Sequence, residues 1–267
     1  MPEGDTIHKA ATRLRPALVG QQLTRFTADR LTGTRPRLGE AIEAVEAVGK
    51  HLLIRFSGGL TLETHMRMTG SWHLYDPGER WRKPEYLARC VIEVPERVAV
   101  CFAAPVMRTF PTTRLGGSAD PMGHLGPDLA APLEGTAKEL SPEIIRRCVD
   151  RMDEVSSPDR AIGDVLLDQR VANGVGNVYR SEVCWACHVS PFRTLGEVPA
   201  GLRAELIVTS AKLLRANLTT RRRTTVPGGL AVYGRRRAQC RRCGGPVRWN
   251  NKSENGRVVY WCPGCQD

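Results

Sequence analysis

The sequence predicts an α+β protein of more than one domain. Three observations carry this: a first half dominated by short β-type segments, a second half with helical periodicity, and a tail bearing two C-x2-C pairs. With 267 residues and 41% hydrophobic content, the chain can build two modest cores, or one core with an appendage.

From Asp5 to Val19 the residues Ile7, Ala11, Leu14 and Leu18 recur at helical spacing, with Asp5 as the expected N-cap and Gly20 as the stop. Between about residues 21 and 103 the pattern changes to QLTRF, HLLIRF, LTLETH, SWHLY, LARCVIEV and RVAVCF, separated by turn formers such as SGG and DPGE. These segments predict a β-sandwich or barrel packed against the opening helix. Residues 104 to 140 are rich in Pro and Gly and read as an irregular connection, with a domain boundary near 132. SPEIIRRCVDRM, AIGDVLLDQRVA, VYRSEVCWACH and GLRAELIVTSAKLLRANL then predict a helical bundle. From about 231, AVYGRRRAQCRRCGG and VVYWCPGCQ are two β-like segments, each with a cysteine pair. The domains therefore read 1–131, 132–230 and 231–267.

A formal net charge of +11 favours a polyanionic partner such as nucleic acid over a neutral small molecule. No stretch approaches a membrane span and the opening lacks a secretory pattern, so a cytoplasmic protein without membrane contact is expected. Nine cysteines, an odd number, argue against a disulfide framework. Cys240, Cys243, Cys262 and Cys265 instead have the spacing that presents four thiolates to one tetrahedral zinc. A closed four-thiolate site leaves no open position for water, so this zinc is expected to be structural. The same tail carries Arg235, Arg236, Arg237, Arg241, Arg242, Arg248 and Arg257, a density that points to phosphate contact. Cys184 and Cys187, in a helical setting with apolar neighbours, read as core residues. The turn NGVGN follows a helix rather than a strand, so no nucleotide cofactor is expected.

Three separated stretches, MPEG at the start, LLDQRVANGVGNVYRSEV in the middle and VYGR with the cysteine pairs ending YWCPGCQ, together resemble the formamidopyrimidine-DNA glycosylase and endonuclease VIII family, Fpg/Nei. MPEG and YWCPGCQ are more similar to the Nei branch. The resemblance implies an N-terminal β-sandwich with flanking helices, a helix-two-turn-helix domain and a zinc ribbon. It also implies a monomer, with damaged DNA lying across the cleft between the halves.

The resemblance makes Pro2 the nucleophile and Glu3 the general acid/base. With Met1 removed, Pro2 is a free secondary amine, and an α-amino group has a reference pKa of about 8 against about 10.4 for lysine. The neutral amine can attack the anomeric carbon, expel the damaged base and leave an iminium. Elimination, first β and then δ, leaves a gap with phosphate at both ends. Lys50 matches the family lysine beside the lesion phosphate; His65, Asn177 and Arg257 match phosphate-binding positions; Met68 matches the wedge that fills the vacated stack, with Arg67 and Thr69 beside it.

The chain departs from the family pattern at Thr6, where an acid is usual, and at Asp5, where proline is common. The Arg and Phe pair that wedges the opposite base in Fpg has no clear counterpart around PVMRTF. The span Leu218 to Val232 is short for the loop that caps oxidised guanine, which favours oxidised pyrimidines as substrates. Alternatives are a purine-specific glycosylase, a weakly active family member, or a zinc-ribbon protein that binds damaged DNA without cutting it.

Overall fold

Ile7, Ala11, Leu14 and Leu18 form the buried face of helix α1 (Gly4–Leu18) in the computed structural model, which describes residues 2–133, 139–251, 253–254 and 256–267. The helix starts two residues earlier than expected: Glu3, and not Asp5, is the N-cap, and Asp5 lies buried in the first turn. Gly20, at φ +82°, ends it as expected, in a backbone conformation that costs glycine nothing.

Two four-stranded antiparallel sheets follow, so the arrangement is a sandwich and not a barrel. The first has the order β1 (Arg25–Thr27), β6 (Ala88–Val94), β7 (Arg97–Phe102), β5 (Ser71–Tyr75). The second runs β2 (Ile42–Val48), β3 (His51–Phe56), β4 (Leu60–His65), β8 (Val106–Pro111). Helix α1 packs on β2 and β3, and one core joins its apolar stripe to Ile54, Phe56, Leu62, Trp72, Ile92 and Cys101. After the exposed Arg97, β7 is apolar because both its faces are covered. Ala99 and Cys101 enter the main core, while Val98, Val100 and Phe102 pack on the other side with Tyr75 and Trp81.

Two strands escaped the sequence pattern. IEAVEAV in β2 is rich in Ala and Glu, which are poor strand formers, and tertiary pairing with HLLIRF overrides that. β8 lies within the stretch taken as irregular; its prolines flank a ladder with β4 that runs from Leu60↔Pro111 to His65↔Val106.

The chain divides between His124 and Leu125 into two units, and the cysteine ribbon belongs with the helices in the second. There α2 (Pro142–Val155) starts at Ser141, whose hydroxyl accepts from the Ile144 N–H at 3.3 Å. α3 (Ile162–Val165) is a single turn where the pattern predicts a longer helix, and α4 (Asn177–Ala186) and α5 (Ala200–Ala216) follow. Helix α5 packs against α2 and α4 around Cys148, Met152, Tyr179, Val183, Leu206 and Leu214. The ribbon strands are β9 (Arg248–Asn250) and β10 (Val259–Trp261), so its first strand lies after the first cysteine pair and not across AVYGRRRAQCRRCGG. Among the described residues no helix is long and apolar enough to cross a membrane.

Leu14→Ala removes a fully buried side chain from the joint between helix and sheet, and is expected to cost about 2–5 kcal/mol. Leu38→Ala, at an exposed position, should stay within about 0.5 kcal/mol. Urea unfolding of the two variants measures both.

Candidate nucleic-acid interface and metal centre

In the first unit, the packing of α1 fixes the start of the chain. Glu3 is 0% exposed, and its carbonyl accepts the N–H groups of Thr6 at 2.9 Å and Ile7 at 3.2 Å. Its side chain makes no capping hydrogen bond to the helix, and its carboxylate lies at the positive helix end. Pro2, immediately before it, is half-buried. Where the family has an acid, Thr6 donates its hydroxyl to the buried Asp5 at 3.3 Å, and Asp5 pairs with Lys9 at 3.8 Å.

One hairpin end and one turn that crosses from the second sheet to the first bring the remaining first-unit residues into one neighbourhood. Val48 pairs with His51 across a two-residue turn, Gly49 and Lys50, with Gly49 at φ +56°. His51 pairs in register with His65 on β4, their ring centroids 4.8 Å apart. His65 begins the turn to β5. Its Nδ1 accepts the Arg67 backbone N–H at 3.2 Å, so in the neutral ring Nε2 carries the proton and is the donor available for a phosphate. Burial, with His51, Lys50 and Arg67 nearby, pushes the His65 pKa down to about 4, so any phosphate bond it makes at neutral pH comes from an uncharged N–H. Arg67 adopts φ +42°, uncommon for a residue with a side chain, and Met68 at the tip is 65% exposed. The turn is closed by Gly70, where a Cβ would stand 2.7 Å from Met66 Cα. Arg108 and Phe110 of PVMRTF are committed elsewhere: Arg108 bonds the Glu63 carboxylate and Phe110 is buried.

In the second unit, α4 opens after Gly176, which has no side chain to cap it. Asn177 is buried. Its amide donates to the Val258 carbonyl at 2.9 Å and its carbonyl oxygen accepts from Arg180. Arg180 is itself fully buried, paired with Asp164 at 2.9 Å. The loop holding Arg257 is fastened on both flanks. The Ser253 hydroxyl bonds the Arg257 N–H and carbonyl at 3.0 and 2.8 Å, Glu254 pairs with Arg160 at 2.8 Å, and the Glu254 N–H reaches Asp164 at 3.2 Å. The α4 N-terminus and the Arg257 loop therefore lie side by side, a positive helix end next to an exposed guanidinium. Of the seven ribbon arginines, Arg235, Arg241 and Arg242 spend donors on backbone carbonyls, and Arg236 stacks on Trp249 at 4.0 Å. Arg237, Arg248 and Arg257 are the ones whose guanidinium groups bond no partner among the described residues.

Cys240, Cys243, Cys262 and Cys265 present sulfurs that all lie within 4.8 Å of one another, with Cys243 and Cys262 at 3.5 Å and Cys240 and Cys265 at 3.8 Å. Tetrahedral zinc with Zn–S bonds of about 2.3 Å requires sulfurs about 3.8 Å apart, so the set fits the ion. The outer contacts fit as well: Cys240 accepts from the Trp185 indole N–H at 3.3 Å and the Arg242 N–H at 3.5 Å, and Cys243 from the Gly245 N–H at 3.4 Å. Cys184 and Cys187 stay in the core, where burial pushes their thiols up to about 12 and 11.

Sequence reasoning missed the groups that support these residues. Glu182, buried on α4, accepts the N–H groups of Ala231 at 2.7 Å, Val232 at 2.9 Å and Tyr233 at 2.7 Å, and the Thr225 hydroxyl. It clamps the non-strand segment that enters the ribbon. An acid inside the otherwise apolar run VYRSEVCWA was the available signal.

Comparison with known proteins agrees with this geometry. Residues 1–110 match the formamidopyrimidine-DNA glycosylase N-terminal domain and residues 140–225 match the formamidopyrimidine-DNA glycosylase H2TH domain. The chain belongs to the formamidopyrimidine-DNA glycosylase family, a class of DNA-repair enzymes. Within it, the curated relatives put the chain on the endonuclease VIII branch. It is 41% identical to a probable endonuclease 8 2 of Streptomyces coelicolor, over 100% of this chain and 94% of that one. It is 33% identical to the DNA-(apurinic or apyrimidinic site) lyase Nei2 of Mycolicibacterium smegmatis, over 100% and 99%. The fold matches the Lactococcus lactis formamidopyrimidine-DNA glycosylase bound to DNA with an abasic site, at a TM-score of 0.78, 19% identity and full coverage of both chains.

Two outcomes are expected. His65 has a reference pKa of about 6.5 when unfolded, so the unfolded chain takes up its proton first as pH falls. Its contribution to stability is therefore intact above about pH 6.5 and is lost between there and about pH 4. His65→Asn should flatten that part of the stability profile measured by urea unfolding. Glu182→Ala leaves three backbone N–H groups without their acceptor, at about 1–3 kcal/mol each, and should lower both the melting temperature and the zinc retained per chain.

Proposed function

We propose that this chain is a monomeric, bifunctional DNA glycosylase and abasic-site lyase of base excision repair. In this reading it acts in the cytoplasm, removes oxidised pyrimidines and cuts the strand by β,δ-elimination through a Schiff base on Pro2. The observation that carries the reading is the placement of Pro2 directly before a buried Glu3 at the N-terminus of α1. The names of the relatives and the DNA-bound state of the structural neighbour support the DNA-repair part.

The unblocked Pro2 nitrogen attacks C1′ of the everted nucleotide, the C1′–N bond breaks and the base leaves with a proton. The C1′–O4′ bond of this adduct then opens, O4′ taking a proton, and the resulting iminium acidifies the neighbouring sugar carbon, whose deprotonation breaks the C3′–O bond; a second elimination breaks the C5′–O bond, and hydrolysis frees Pro2. Glu3 moves protons to and from the sugar. Lys50, the Nε2–H of His65, and Arg67 grip phosphates from the first unit, and the α4 N-terminus with Arg257 does so from the second. Met68 fills the gap left in the stack. A cavity of about 350 Å3 lined by Thr6, Lys9, Arg13, Ser71 and His73 lies one helical turn from Glu3 and supports the eversion of a base. In this reading zinc holds the ribbon that carries Arg257 and takes no chemical step.

Borohydride should trap a covalent adduct between the Met1-free protein and abasic-site DNA. Pro2→Gly should weaken the trapping, and Glu3→Gln should lower turnover about 10²–10⁴-fold. Thymine glycol and dihydrouracil should be excised faster than oxidised guanine. Absence of any adduct would make the chain a DNA-binding protein, and a preference for the purine would overturn the substrate assignment.

A further inference from the structure

Glu63 sits at the centre of the second sheet, 1% exposed, on a strand whose two neighbours each offer it a cation or a donor. His51 Nδ1, on β3, lies 2.8 Å from one carboxylate oxygen, and Arg108, its register partner on β8, bonds the other. Burial works against the charge on Glu63, but the bonds from His51 and Arg108 win and hold its pKa below the usual carboxylate value. A carboxylate only accepts, so the His51 Nδ1 carries a proton and donates it. From there the contacts run outward: the His51 ring meets the His65 ring edge-on, and His65 Nδ1 receives the Arg67 N–H. Lys50 precedes His51 in the two-residue turn, and Met68 follows Arg67. The titratable and charged groups along this line of contacts are Lys50, His51, Glu63, His65, Arg67 and Arg108.

We infer that Glu63 is a positioning residue for the cutting reaction: through His51 and His65 it sets two tips, the β2–β3 hairpin turn bearing Lys50 and the β4–β5 turn bearing Arg67 and Met68, in fixed relation to each other. The inference rests on the function proposed above for those tips. A buried carboxylate is an unusual anchor in an apolar sheet, since without two donors it would be strongly disfavoured. Here both donors come from strands on either side, so one acid registers three strands. The consequence is felt at the tips. A displacement of about 1 Å in groups that position a substrate is enough to slow a reaction about 100-fold.

The test compares Glu63→Leu, Glu63→Gln and His51→Phe with the parent, using Glu46→Gln on the same sheet as a control. Glu46 pairs with Arg55 at the surface and touches none of the tips. Glu63→Leu and His51→Phe should each reduce the rate of borohydride trapping on abasic-site DNA about 10–100-fold. Glu63→Gln, which keeps one acceptor, should recover part of the loss, and Glu46→Gln should match the parent. The double variant His51→Phe with Glu63→Leu should be no slower than the worse single variant, because both break one connection. Long-range 1H–15N spectra of the imidazoles should show the His51 Nδ1–H in the parent and Glu63→Gln proteins, and its loss in Glu63→Leu. If Glu63→Leu fails to fold, the trapping rate of His51→Phe and the spectrum of Glu63→Gln still decide the matter. Additive losses, or a His51 tautomer unchanged by Glu63→Leu, would overturn the inference. A parent protein that forms no adduct would instead overturn the proposed function, leaving the tautomer experiment to judge Glu63 alone.

Discussion

The first unit depends on the contact between α1 and the sheets. Leu14 and Leu18 are fully buried, and burying a leucine side chain contributes about 1.5–3 kcal/mol. That packing places the helix N-terminus, and with it Glu3, at a fixed point in the unit. Residues at a chain terminus are ordinarily the least ordered part of a domain. Here the second and third residues are held by a helix whose opposite end is sunk in the core, which is what the proposed role of a Met1-free Pro2 amine requires.

The second unit solves a related problem with polar groups. The buried Arg180 and Asp164 pair is costly to desolvate, and its worth lies in where it directs bonds: to Asn177, to Val258 and to the loop at Glu254. Asn177, matched by resemblance to a phosphate-binding position, spends its own side chain on this clasp. In the proposed function, the group it leaves for a phosphate is the helix N-terminus that it begins. Backbone amides and a helix dipole bind phosphate without reading sequence, as suits a protein that must act wherever damage lies.

How far the sequence revealed this architecture varied with the range of the interaction. The four zinc-site cysteines were legible because ligand spacing is local, and α1, α2, α4 and α5 were legible because helical periodicity is local too. β2 was hidden by its Ala and Glu content, and β8 by its flanking prolines; both exist because a neighbouring strand pairs with them. Pro2 and Glu3 enter the proposed function only through family resemblance, since a proline and an acid before a helix are ordinary helix-start residues. Glu63 and Glu182 were out of reach for a plainer reason. Glu63 meets Arg108 45 residues away, and Glu182 meets Val232 50 residues away, and no pattern in one dimension announces such pairs.

The seam between α4 and the ribbon bears on how the protein can be taken apart. Trp185 contributes its ring to the ribbon's small apolar core and its indole N–H to Cys240, while Glu182, three residues earlier, grips the segment leading in. The metal-binding tail is therefore not a detachable cassette. Grafted onto a foreign scaffold without α4 beneath it, it would lose the floor of its core and the donor that steadies one of its thiolates.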